Sequence, residues 1–207
     1  MTTLKLTYFD APGRAEPIRL AMALGGLDFE DHRITFPQFQ TLKQGGKLAL
    51  GSVPVLEVDG VQLVQTSAIL RFVARLGHGQ LYPDDPVRGL VVDSALDSVN
   101  DTLSNALMPS LFERDMAKKL AMREEIANGV MKRVFRYVEN LLDIHGGPLL
   151  GGDTVSIADL VVATQVRAIR QGKIDGITEE RIGEYRRILA LVDAVEADPR
   201  VRAYRAR

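Results

Sequence analysis

The chain has 207 residues, 46% of them hydrophobic and 26% charged, proportions of an ordinary globular protein that exclude a disordered or fibrous one. Its 26 Lys and Arg nearly balance its 27 Asp and Glu, for a net charge of -1, so no bulk charge draws it to nucleic acid or to an anionic membrane. It has no cysteine, which excludes disulfides, thiolate metal sites and cysteine nucleophiles, so any thiol chemistry must use an imported thiol.

The opening MTTLKLTYFD lacks the apolar core of a secretory signal, and no run of about 18 apolar residues follows it. A cytoplasmic location is therefore the expectation. His32, His78 and His145 stand far apart without ligand spacing, so no metal is expected.

LKLTYF reads as a strand, and RAEPIRLAMAL carries apolar residues at helical spacing up to Gly25 and Gly26. FEDHRI suits a second strand, and FPQFQTLKQ a short helix before Gly45 and Gly46. VPVLEVDGVQLV reads as a hairpin turning at Asp59-Gly60, followed by TSAILRFVARLG as an amphipathic helix ended by Gly77. A βαβ half followed by a ββα half implies a mixed four-stranded sheet of thioredoxin-like type.

Beyond GHGQLYPDDP the texture turns helical. The periodicity predicts helices over 87–117, 119–144, 156–170 and 185–197, the last bounded by Pro199. Ser156 and Asp159 have the spacing of a capping box, and the LVVA that follows marks a buried helix. The expected organisation is an α/β domain over 1–77, a linker over 78–86 and an all-α helical bundle over 87–207.

No phosphate-binding loop and no nucleophile elbow occurs. Chemistry concentrates instead in LTYFDAPGRAEPIRLAMALGG, which puts Tyr8 at a strand end and Arg14 at a helix start, where anionic ligands commonly sit in α/β units. On residue type alone, Tyr8 could equally be a sheet residue with its hydroxyl in water. Pro54 just before a strand suggests a cis bond and an edge where a ligand backbone could pair. Thr66 could cap the next helix or help its first turn bind an anion. The C-terminal Arg200, Arg202, Arg205 and Arg207 lack interleaved aromatics and read as a solvated end.

Taken together and in order, KLTYFDAPGRAEPIRL, VPVLEVDG, QTSAIL and SIADL resemble a cytosolic glutathione transferase, the first block most of all the sigma class. The resemblance spans nearly the whole chain. It implies that the thioredoxin-like domain binds glutathione as substrate, with Tyr8 donating a hydrogen bond to the sulfur and Arg14 adding charge or orienting Tyr8. It implies that Val53, before Pro54, pairs its backbone with the cysteinyl part, that Gln65 and Thr66 hold the γ-glutamyl end, that Phe39 and Lys43 flank the glycyl carboxylate, and that Gly51 and Ser52 also belong to the glutathione-binding residues. It also implies a homodimer, in which Asp101 of VDSALDSVNDTL reaches glutathione held by the other subunit, and a hydrophobic electrophile lined by Phe9 and the stretch around Asn105 to Phe112. Asp93, Asp97 and Asp101, four residues apart, share a helical face.

Two positions depart from the family pattern. Phe39 stands where Trp is common and lacks its indole donor, and Ser52 stands where Lys is common and lacks its charge. Weaker glutathione binding follows unless Lys47 of the QGGKLALGS loop takes over. A glutathione-dependent isomerase and a non-catalytic binding or interaction module are the alternatives to a conjugating enzyme.

Overall fold

In the computed structural model, which describes residues 2–206, Leu4–Phe9 forms β1 because Leu4 and Leu6 bury on one side of the pleat. A 3-10 turn, Gly13–Ala15, leads into α1, Glu16–Leu24, which has Pro17 in its first turn, where a missing N–H costs nothing. Then come β2 (Glu30–Ile34) and α2 (Phe36–Gln44). A Thr35/Gln38 capping box starts α2.

β3 (Val55–Val58) and β4 (Val61–Val64) form the hairpin. Asp59 and Gly60 both have positive φ at its turn, the backbone form that follows the twist of paired strands. α3 (Thr66–Leu76) closes this first unit, which ends at Gln80. The strand order is β2-β1-β3-β4, with β1 parallel to β2 and the other pairs antiparallel. This is the mixed thioredoxin-like sheet expected from the sequence.

Leu6, Ile18, Leu20, Met22, Leu56 and Leu70 form the dry core of the unit. α1 and α3 pack together where their C-terminal ends cross. A Cβ on Gly77 would stand 2.9 Å from the Cα of Gly25, and the His78 N–H donates to the Gly25 carbonyl at 3.0 Å. Gly77 ends its helix at φ -82°, so close backbone approach rather than a left-handed cap requires glycine there.

The second unit, from Leu81, is helical: α4 (Pro86–Asp97), α5 (Ser104–Phe112), α6 (Met116–Ile126), α7 (Lys132–His145), α8 (Ile157–Arg170), α9 (Glu179–Ile182), α10 (Arg186–Ala197) and α11 (Pro199–Arg205). π-helical turns, Ser98–Leu103 and Ala127–Met131, join α4 to α5 and α6 to α7 and pack against each other.

This unit departs from the sequence expectation at one helix boundary and in two short helices. The first long helix stops at Phe112 rather than at 117, because Asp115 caps α6 by accepting from Ala117 and Lys118 N–H, which starts that helix earlier. The expected helix over 185–197 is α10, and Pro199 beyond it opens a further helix, α11, with Asp198 as its cap. The short α9 has too little periodicity to be seen in sequence. The predicted helix over 156–170 is α8, which packs against α4 and α10.

α8 begins with the expected capping box. Asp159 is fully buried, and its carboxylate accepts from the Leu150 N–H at 2.8 Å, the Ser156 N–H at 2.8 Å and the Ser156 hydroxyl at 2.7 Å. Burial pushes the Asp159 carboxyl up, while these donors pull it down. One side chain thus ties the preceding loop to the helix start. Ser156→Ala should lose about 1–2 kcal/mol of stability, the usual worth of a cap. Asp159→Ala, which strands two buried N–H groups, should lose about 3 kcal/mol or more. Urea unfolding followed by circular dichroism measures both; equal losses would refute the loop-tying role.

Candidate functional site

The sheet register assembles the site. Thr7 pairs with Val55, and Val55 with Val64. Both ladders end there, with Tyr8 following Thr7, Pro54 preceding Val55 and Gln65 following Val64. In the parallel direction Tyr8 pairs with Arg33. Residues 8, 54 and 65, far apart in sequence, thus all adjoin the Thr7, Val55 and Val64 row at which these ladders run out.

Tyr8 is buried, and its hydroxyl accepts from the Arg14 backbone N–H at 3.1 Å. Phe9 meets its ring edge-on at 5.4 Å. Arg14 sits half-buried in the 3-10 turn between β1 and α1.

Arg19, which the sequence reading passed over, holds this turn together. It is 1% exposed. Its Nε donates to both Asp31 carboxylate oxygens, at 3.0 and 3.1 Å, its Nη1 to the Ala11 carbonyl at 2.9 Å and its Nη2 to the Phe9 carbonyl at 3.3 Å. The guanidinium carbon also lies 5.9 Å from the centre of the Tyr8 ring. Asp31 is shared with Arg33, which reaches Asp10 as well, and the two carboxylates raise the Arg33 guanidinium above its ordinary range. An arginine on the buried face of α1 was the available signal, since a fully buried charge requires partners.

The Val53–Pro54 peptide is cis, with Pro54 buried, Val53 half-buried and Ser52 exposed. Gly51, at φ +61°, lies along the Lys43 side chain: a Cβ there would come within 3.6 Å of the Lys43 Cε. Lys43 Nζ stands 5.9 Å from the centre of the Phe39 ring. Phe39 joins an aromatic cluster with Phe9 at 5.3 Å and Phe36 at 6.0 Å. The Lys47 carbonyl accepts from Gln62 Nε2 of β4.

Gln65 has φ 79° and ψ 109°, a strained conformation for a residue with a side chain. It occupies the N-cap position of α3, and Thr66 is the first residue within that helix. This corrects the expectation of Thr66 as the cap. Thr66 and Ser67 are both buried.

In the second unit Asp101 is exposed on a π-helical turn, where its carbonyl accepts from Asn105 Nδ2 at 2.8 Å. The wider turn interrupts the shared helical face expected of the three aspartates. Asp93 accepts from the Tyr82 hydroxyl at 2.8 Å. The C-terminal arginines are used within their own unit: Arg200 pairs with Asp198 and Arg205 with Glu196. Arg207 and the side chain of His145 lie outside the described residues.

No group of three or more metal-type ligands occurs among the described residues, and no helix there is long and apolar enough to cross a membrane.

The glutathione S-transferase N-terminal domain matches residues 4–75, and the glutathione S-transferase C-terminal domain matches residues 100–207. The chain is 31% identical over 174 residues to glutathione S-transferase A4 of Bos taurus, covering 82% of this chain and 75% of that one. It is 32% identical over 213 residues to hematopoietic prostaglandin D synthase of Gallus gallus, covering 99% and 96%. The structure of a Nu-class GST from Haemonchus contortus superposes with a TM-score of 0.81 at 29% identity, covering 100% of this chain and 97% of that one.

The buried Arg19 generates a stability test. Arg19→Met removes the cation and leaves Asp31 and two carbonyls without it. The expected loss lies near the lower end of the ~3–5 kcal/mol typical of a broken buried pair, because Asp31 keeps a quarter of its side chain in water. Arg19→Lys should recover little, since one ammonium cannot span the carboxylate and both carbonyls. Full stability of Arg19→Lys in urea unfolding would refute the multidentate role.

Proposed function

The chain belongs to the glutathione S-transferase family, and on that premise we propose that it conjugates the thiolate of glutathione to electrophilic substrates, with Tyr8 activating the thiol. The observation that carries this reading is the Tyr8 hydroxyl held by the Arg14 N–H, at the end of the sheet where Pro54 and Gln65 flank the last paired residues of β3 and β4. With its oxygen already accepting a bond, the hydroxyl keeps its proton to donate to sulfur. A free thiol of pKa about 8.5 is only ~3% thiolate at pH 7. Lowering that pKa by ~2 units makes it mostly thiolate and takes about 2.7 kcal/mol, within reach of a charge-assisted hydrogen bond helped by the cation of Arg14.

In this reading the domain over 1–77 binds glutathione, 78–86 is the linker and 87–207 supplies the electrophile's surface. Val53 pairs with the cysteinyl backbone beside Gly51, Ser52 and Pro54; Gln65 and Thr66 hold the γ-glutamyl end; Phe39 and Lys43 take the glycyl carboxylate. The strained backbone of Gln65 supports a binding role, because such strain is characteristic of ligand-clamping positions. We assign the chain to the sigma class on its first sequence block, and infer a cytoplasmic homodimer with a role in detoxification.

A second reading, a glutathione-dependent isomerase, draws on the likeness to a prostaglandin D synthase over nearly the full chain. There glutathione would be regenerated rather than consumed. Loss of free thiol in step with product marks conjugation, whereas turnover at constant thiol marks isomerisation.

Tyr8→Phe keeps the ring but removes the proton donor. The thiol pKa of bound glutathione, followed by thiolate absorbance, should rise by about 1–2 units, and turnover with an aromatic electrophile should fall about 10–100-fold with affinity nearly intact. An unchanged pKa would remove Tyr8 from the mechanism.

Asp101→Asn should weaken glutathione binding by about 1–3 kcal/mol, with little change in turnover at saturation. Calorimetry checks the affinity. Sedimentation of the unaltered protein as a monomer at micromolar concentration would refute the role given to Asp101 in the dimer.

A further inference from the structure

The turn between β1 and α1 contains a steric device that sequence spacing does not reveal. The N-terminus of the 3-10 turn has no side-chain cap, because its N-cap residue is Pro12. The Arg14 N–H is among the donors such a terminus leaves over, and it points at the Tyr8 hydroxyl at 3.1 Å. Gly13, just before it, has φ +45°, which favours glycine.

Space matters as much as backbone form. A Cβ on Gly13 would stand 2.5 Å from the Tyr8 hydroxyl oxygen, 3.0 Å from Cε1 and 3.1 Å from Cζ. The Tyr8 ring has little room to retreat. It is buried, with Phe9 against its edge and the Arg19 guanidinium 5.9 Å from its centre. The phenol therefore rests against the bare Cα of Gly13 while accepting from the next amide.

We propose that Gly13 is a positioning residue for the Tyr8 hydroxyl, admitting it against the turn and presenting the Arg14 N–H to its oxygen. The inference rests on Tyr8 being the hydrogen-bond donor to the thiol. Its chemistry is directional: an amide bond into the oxygen occupies one lone pair, leaves the proton for an external acceptor, and strengthens the phenol as a donor by polarising it. A side chain at position 13 would push the oxygen off the amide, so both orientation and donor strength would fall while the glutathione contacts elsewhere remain.

The test is a double-mutant cycle on the wild type, Gly13→Ala, Tyr8→Phe and the double variant, reading the thiol pKa of bound glutathione by thiolate absorbance together with kcat and KM. Gly13→Ala should raise that pKa by about one unit, a tenfold loss in the thiolate-to-thiol ratio, and lower kcat with KM nearly unchanged. In the Tyr8→Phe background it should add almost nothing, because the displaced oxygen is absent. A wild-type pKa in Gly13→Ala, or an equal rise in both backgrounds, overturns the proposal. A wild-type pKa in Tyr8→Phe instead defeats the underlying role of Tyr8. If Gly13→Ala fails to fold by circular dichroism, recovery of the fold in the double variant upholds the contact with the oxygen, and failure of both, which assigns the loss to the ring carbons and the backbone at φ +45° instead, overturns it.

Discussion

A single buried cation organises the first unit. Arg19 has almost no exposed surface, so its charge must be met inside the protein, and Asp31 of β2 with the Phe9 and Ala11 carbonyls meets it. Those partners lie on three segments: the second strand, the end of the first strand and the loop that follows. Satisfying one guanidinium therefore fixes the path of the chain out of β1. The position of Tyr8, the entry to the 3-10 turn and the direction of the Arg14 N–H all depend on that path. The fork of the guanidinium suits the task, since its donors spread in one plane at fixed angles.

The other half of the site is built from backbone constraints rather than charge. β3 and β4 are short, and beyond Val55 and Val64 the ladder gives way to Pro54 and to the strained Gln65. The chain there is neither strand nor helix, which leaves polar groups at a sheet end available to a ligand. A positive φ at a residue with a side chain persists only where its surroundings over-determine it. Here the Gln65 carbonyl is held by the Ile69 N–H at 2.9 Å, and the next two residues are buried. Rigid strands position the phenol, while strained ends form the cradle proposed for glutathione.

The sequence disclosed the elements of the first unit well because each carries a local signal: the β-rich run LKLTYF, Gly25-Gly26 after RAEPIRLAMAL, Asp59-Gly60 at the hairpin. It disclosed the second unit less well at its helix ends. Asp115 and Pro199 each allow a stop or a start, and only packing decides between them. The π turns left no trace, since one added residue per turn barely disturbs a hydrophobic period. Tyr8 and Arg14 were visible as chemistry, and the turn beside them was not. Nothing in the sequence marks Gly13, whose need is a missing Cβ beside the phenol, and Arg19 is marked only by its place on the apolar face of α1. Both depend on contacts between side chains and a backbone several residues away, which spacing cannot encode.

In the proposed reading, binding and activation draw on separate parts of the unit, and the two departures from the family pattern fall among the binding residues. Ser52 lies beside Val53, and Phe39 lies at the end proposed for the glycyl carboxylate, where it stacks in a ring cluster and Lys43 stands beside it. A phenyl ring donates no hydrogen bond, so the hold on that carboxylate rests more heavily on the exposed ammonium of Lys43, a contact that salt screens. Such a contact is made equally before and during transfer, so its weakening acts on KM rather than on kcat. The Tyr8 hydroxyl, the Arg14 N–H and the Arg19 anchor meet instead at the β1–α1 turn. A chain of this design can lose affinity for its thiol while keeping the power to ionise it, because one depends on surface charge and the other on a buried and crowded turn.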